Sequence, residues 1–290
     1  MGFFKRLFGV STENNEKSEE DKKIQEAKNF DILKYDGVKA MRMQRTDYAV
    51  ECFVHALNLK EDLEIRDYLS QCYISQGELA LAYRHLEKIA EAQSDNIAVL
   101  LRMANVAFMM EDYVVMGQVC EKALLIDKDS SDALYLYAKA CRGTDDSANA
   151  VAMLTKAISV KPDFAEAYLL RGEVFFDGGN LDEADEDALL LLEKYPDNED
   201  ILMLKANIEK AKGNAVAAID FFGKVIDANP FNCAAFANRA ELKEKTGDAE
   251  GAKEDAERAA ELAGNANDEK QENIESKTKE LYKNINPLGI

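Results

Sequence analysis

Two histidines and five cysteines are the side chains of this 290-residue chain best suited to acid–base, nucleophilic or metal chemistry, and their placement argues against all three. A nucleophile needs a base beside it, and a metal needs ligands converging on one point. His55 and His85 fall on separate helical stretches, where surface or packing roles account for them. Cys52, Cys72, Cys120, Cys141 and Cys233 lie scattered among apolar neighbours without a CxxC pair, the usage of buried free thiols in a reducing compartment. No GxGxxG, P-loop or HExxH pattern occurs. Carboxylates are plentiful, densest in Asp182-Glu183-Ala184-Asp185-Glu186-Asp187, but they run along solvated helical faces and none stands out as a general acid. The expectation is a protein that catalyses nothing and holds no metal or cofactor.

Charge and composition narrow the remaining classes. A formal charge of −19 opposes binding to a phosphate backbone, whose affinity comes mainly from cations displacing counterions, so no nucleic-acid partner is expected. The plain account of the acidity is a solvated outer face that keeps the protein soluble. With 47% apolar and 31% charged residues the chain can bury a core, and four prolines with no tryptophan favour helices. No apolar run is long enough to span a bilayer, which, with the free thiols, suggests a cytoplasmic protein.

The elements that position any binding residue are set by a repeat. Pro162, Pro196 and Pro230 stand 34 residues apart, as do Gly179, Gly213 and Gly247; Gly77 keeps the register, with Glu111 and Asp145 in the intervening places. Small residues recur at Gly37, Ser70, Ala104, Ala138, Gly172, Ala206 and Ala240, and again at Ala49, Ala82, Ala150, Ala184, Ala218 and Ala252, with Met116 the bulky exception. Small sites at a fixed interval mark close helix approaches, one per helix of a two-helix unit. Ala184-Ala188-Leu191 and Ala218-Phe222-Val225 trace the buried face of the second helices. Gly77, Gly179, Gly213 and Gly247 close the hairpins in which they stand, and Lys161-Pro162-Asp163, Tyr195-Pro196-Asp197-Asn198 and Asn229-Pro230-Phe231-Asn232 each stop one unit and cap the next.

In this pattern the chain resembles the tetratricopeptide repeats. Tyr168, Gly172, Phe175, Gly179-Asn180-Leu181, Ala184, Leu191 and Pro196 fill that family's packing and turn sites, and Leu202, Ala206, Gly213-Asn214, Ala218, Phe222, Val225 and Pro230 do so again. Departures are local: Arg66, Met116 and Thr46 stand where the family uses other residues. The resemblance implies an all-α fold, a right-handed α-solenoid of seven helix-turn-helix repeats over residues 30–264, at about 30–62, 63–96, 97–130, 131–164, 165–198, 199–232 and 233–264. Residues 265–290, with Ile274, Leu281 and Ile285 on one face, are expected to form a capping helix.

Residues 1–29 read as an apolar, basic segment followed by an acidic linker, with Val10 to Lys23 lacking periodicity and expected to be disordered. Phe3, Phe4, Lys5, Arg6, Leu7 and Phe8 are too short and too charged for a signal peptide, and Arg6 occupies the place where N-myristoylation wants Ser or Thr. A short interfacial anchor at a membrane surface is one account of them; a tail tucked onto the solenoid is the other.

By the resemblance, the first helices line an inner surface, and the residues there include large apolar side chains. At the repeat interval one row holds Leu101, Tyr135, Leu169 and Met203; its neighbour holds Tyr68, Arg102, Leu136, Leu170 and Leu204; Phe108 and Phe176 extend the lining. Asn105, Lys139, Asn207 and Lys210 are interspersed and could bond a peptide backbone or its carboxylates. Apolar surface of this extent suggests a partner site, unless these side chains bury between adjacent first helices. The family's carboxylate clamp is incomplete, since Leu101 and Leu136 sit where clamp residues are needed. The expected function is a scaffold or adaptor that binds a peptide or helix of a partner protein in this groove; the alternative is a structural protein that self-associates, held at a membrane surface by residues 1–9.

Overall fold

The computed structural model describes residues 5–264, with side chains from residue 19 onward, and among them every regular element is a helix. They divide into two compact units on either side of Met110. The first holds α1 (Lys5–Arg42), α2 (Thr46–Leu59), α3 (Leu63–Gln76), α4 (Leu79–Ala92) and α5 (Ile97–Met109). The second holds α6 (Tyr113–Ile126), α7 (Ser131–Gly143), α8 (Ser147–Val160), α9 (Ala165–Asp177), α10 (Leu181–Lys194), α11 (Glu199–Ala211), α12 (Ala215–Ala228), α13 (Cys233–Thr246) and a helix over 249–264. Helices of 13 or 14 residues are marginal alone, so their stability comes from packing against sequence neighbours.

In the first unit, Phe53 is fully buried among Phe30, Ala49, Ala56, Ile65 and Leu69. Its ring lies over Gly37, where a Cβ would come within 2.5 Å of it, so glycine lets α1 approach α2. In the second unit, Ala150, Ala184 and Ala218 are fully buried at the 34-residue interval, and Gly172 leaves 3.0 Å between a notional Cβ and Leu204 Cδ2. Met116 occupies the corresponding place in α6 and is also fully buried, its unbranched chain adapting to the space.

The turns follow the register. Gly77, Gly179, Gly213 and Gly247 take left-handed φ values of 77°, 77°, 79° and 92°, while Glu111 and Asp145 hold that conformation at 57° and 60°. Asn198 and Asn232 cap α11 and α13 by accepting from Ile201 N and Ala235 N, as expected after the prolines.

One expectation is corrected. The backbone is helical from Lys5 through Arg42, so residues 10–23 form part of α1 instead of a disordered linker. That stretch is rich in Glu and Lys and contains neither Gly nor Pro, a composition that supports a helix without an apolar stripe. The expected capping helix at 265–290 lies outside the described residues, as do the side chains of Phe3, Phe4, Lys5, Arg6, Leu7 and Phe8.

Candidate functional site

The first helices of the second unit lie side by side and share one outward face. Leu169 and Phe176 of α9 pack against Leu204 and Ile208 of α11 and remain partly exposed. Tyr135 of α7 and Met203 of α11 are likewise partly buried, so Tyr135, Leu169 and Met203 recur on that face at the repeat interval. The Tyr135 ring leans on Phe164, 5.2 Å between centroids, and Lys139 Nζ lies 5.8 Å from its centre. Burial lowers the pKa of Lys139. At Tyr135 burial raises the hydroxyl pKa, and the carboxylates of Glu166 and Glu173 add to this against the pull of Arg142. Asn207 is partly buried one turn beyond Met203.

Leu136, Leu170 and Leu204 do not line this face; all three are buried. A step of one residue turns about 100° around a helix, which carries these positions off the open face and into the core. Leu170 joins Leu134, Leu154 and Phe164, and Leu204 joins Ala184 and Ala188.

The cations are committed as well. Lys210 Nζ donates to Asn238 Oδ1 at 2.7 Å and to Glu241 Oε2 at 2.5 Å, both on α13. Lys210 and Lys245 together hold the Glu241 carboxyl down to about 2. Arg142, which the sequence did not single out, pairs from α7 with Glu173 and, at 3.0 Å, with Asp177 on α9. Sequence offsets of 31 and 35 residues, one repeat less or more a fraction of a turn, are the signal that would have exposed these links.

The same device operates in the first unit. Arg102 of α5 pairs with Asp67 of α3, and its Nη2 donates to Ser70 Oγ at 2.8 Å. Tyr68 stacks on Phe53 at 5.3 Å and donates to Glu64 Oε1, while exposed Asn105 donates to the Leu101 carbonyl at 2.9 Å. Leu101 and Phe108 are partly buried. Arg102 and Lys210 therefore brace adjacent first helices, where the sequence suggested ligand-pairing groups.

Elsewhere, an open cleft of about 500 Å³ beside α10, α11 and α12 is lined by Leu192, Pro196, Leu202 and Phe221. Lys224 folds over the Phe221 ring at 4.6 Å and pairs with Asp220 at 2.8 Å. Among the described residues His55 is exposed and His85 stacks on Tyr73, and Cys52, Cys72, Cys120 and Cys141 are buried free thiols.

Comparisons with known proteins agree with this architecture. Residues 142–208 match the family model described as tetratricopeptide repeat. Over 135 residues, 46% of this chain, the sequence is 23% identical to DnaJ homolog subfamily C member 3 of Gallus gallus, of which the match spans 27%. A tetratricopeptide repeat protein from Parabacteroides merdae ATCC 43184 superposes with a TM-score of 0.67 at 16% identity, covering 88% of this chain and 98% of that one. YrrB, described as a TPR protein with an unusual peptide-binding site, superposes with a TM-score of 0.52 at 17% identity, covering 61% of this chain and 91% of its own. At such identities these likenesses establish the fold.

Proposed function

We propose that this tetratricopeptide-repeat protein is a non-catalytic scaffold that binds a peptide or helix of a partner protein on the first-helix face of α7, α9 and α11. One observation carries the proposal: Tyr135, Leu169 and Met203 recur at the repeat interval on successive first helices, with Phe176 beside Leu169 in one cluster, as large, partly exposed apolar side chains of a highly charged chain. Rigid helices braced by cross-repeat ion pairs would present this run with little ordering cost, which favours binding. The peptide-binding site described for YrrB supports the same use of the fold. The buried thiols, with Cys72 and Cys120 pushed up to about 12 by desolvation, suit a reducing, cytoplasmic setting and not thiolate chemistry. Among the described residues no helix is long and apolar enough to cross a membrane.

Selection from a displayed random-peptide library tests the proposal. Peptides enriched on the wild-type protein should bind at roughly micromolar strength and lose that binding to the Leu169→Ser, Phe176→Ser double variant. Both side chains pack against the cluster of Ala184, Ala188, Leu204 and Ile208, so the variant should melt a little lower yet keep its helical circular-dichroism signal. Undiminished binding by the folded variant would reject the face.

A further inference from the structure

We propose that the α7, α9 and α11 face selects a cationic partner segment, one that alternates apolar anchors with lysine or arginine. This rests on the binding role proposed above and adds the partner's chemistry to it. Asp132, Glu166 and Asp200 are exposed and recur at the repeat interval, each in the first turn of its helix and three residues before Tyr135, Leu169 and Met203. Residues three apart share a helix face, so a row of carboxylates runs beside the row of apolar anchors.

Carboxylates in a first turn also offset the helix dipole, which alone would explain them. That explanation predicts acids on every first helix, and α5 and α13 have none: Ala98 stands before Leu101 in α5, and in α13 Ala234 and Ala237 replace both the acid and the anchor. Within the second unit, acid and large apolar residue occur together or not at all. Two cations of these helices are engaged elsewhere, Arg142 with Glu173 and Asp177, and Lys210 with Glu241 and Asn238, and Lys161 lies over the Phe164 ring at 4.4 Å. Lys139 lies over the Tyr135 ring; burial raises the pKa of that tyrosine, and the carboxylates of Glu166 and Glu173 add to the rise against Arg142, so acidic side chains stand close to the floor of the face. An acidic ligand would place its charges beside Asp132, Glu166 and Asp200, whereas a cationic one would be steered to the face and held in register by it.

The test uses the full chain and a phage-displayed library of random dodecapeptides, with two variants: Leu169→Ser with Phe176→Ser, and the neutralised Asp132→Asn, Glu166→Gln, Asp200→Asn, which alters only exposed side chains. Enriched peptides should carry lysine or arginine between apolar residues and depend on Leu169 and Phe176. Their affinity should fall about five- to tenfold on the neutralised variant, the sum of three exposed charge pairs, and the wild-type affinity should fall with added salt; the variant should melt slightly lower, through the lost helix-dipole contacts, and keep its helical circular-dichroism signal. Acidic or uncharged peptides that still need Leu169 and Phe176 would overturn the charge assignment and leave the binding face standing. Cationic peptides indifferent to the loss of Leu169 and Phe176 would show adhesion to the acidic surface at large and overturn both, as would the absence of any enriched peptide.

Discussion

Arg171 holds Asp187 through two hydrogen bonds, Nε to Oδ2 at 2.9 Å and Nη2 to Oδ1 at 2.7 Å, although the Asp187 side chain is only 3% exposed. One repeat later the same positions hold Lys205 and Phe221; one further on, Arg239 and Asp255 restore the paired arrangement at 2.8 and 2.7 Å. Where the acid is missing, Lys205 turns to Asp185 and Glu209, both at 2.5 Å, and lies 5.6 Å from the Phe221 ring. The pair thus fastens the first helix of a hairpin to its second, and its replacement by phenylalanine supplies an aromatic wall of the cleft beside α12.

Removing one member of this pair should cost far more than removing both. Arg171→Met leaves a buried carboxylate without its partner and should lower the unfolding free energy by about 3 kcal/mol, whereas Arg171→Met with Asp187→Leu should recover most of that loss. Urea titrations of the two variants provide the check, and equal losses would refute the pairing.

Acid sensitivity follows from Asp255 and Asp185. Burial alone would raise both pKa values, but hydrogen bonds from Arg239 and Lys243 to the first, and from Lys205 and Lys212 to the second, bring them below the ordinary carboxylate value. A depressed folded-state pKa contributes stability that is fully present above the unfolded value of about 3.9 and is lost as pH falls through the folded one. Stability should therefore hold from neutrality to about pH 5 and drop below about pH 4, more shallowly in Arg239→Met. An unaltered acid branch in that variant would contradict the assignment.

At the hairpin turns, Glu111 holds a left-handed φ of 57° where Gly179 sits at 77°. A non-glycine residue pays roughly 1–2 kcal/mol there, partly offset by the greater freedom of glycine in the unfolded chain. Glu111→Gly should gain about 0.5 kcal/mol and Gly179→Ala should lose about 1 kcal/mol in chemical denaturation.

Close packing at Gly172 gives a sharper contrast. A Cβ there would meet Leu204 Cδ2 at 3.0 Å and Asp187 Cβ at 3.4 Å, so Gly172→Leu should cost about 1–3 kcal/mol. Exposed Glu186→Gln should stay within about 0.5 kcal/mol. Equal shifts in melting temperature would place the helix contact elsewhere.

Much of this was legible in the sequence because repetition magnifies weak signals. The left-handed glycines, the alanine contacts and the Asn198 and Asn232 caps all sit on the 34-residue register. The face was legible only in part. Tyr135, Leu169, Phe176 and Met203 stay partly exposed, but Leu136 and Leu170, one residue on, are core, a difference that apolarity alone cannot signal. The bracing of Arg102, Arg142 and Lys210 was hidden because each reaches across to a neighbouring repeat, at offsets that alignment of equivalent positions does not compare. The helix over residues 10–23 was missed because its charged surface carries no apolar period.

The most direct measurement places a photo-crosslinking amino acid at position 169 in one variant and at position 190 in another, Leu190 being a half-exposed leucine on the second helix α10. Each variant is irradiated with a peptide selected on the wild-type protein. Binding on the first-helix face predicts a covalent adduct from position 169 and none from position 190. An adduct from position 190 alone would contradict it and move the partner to the second helices.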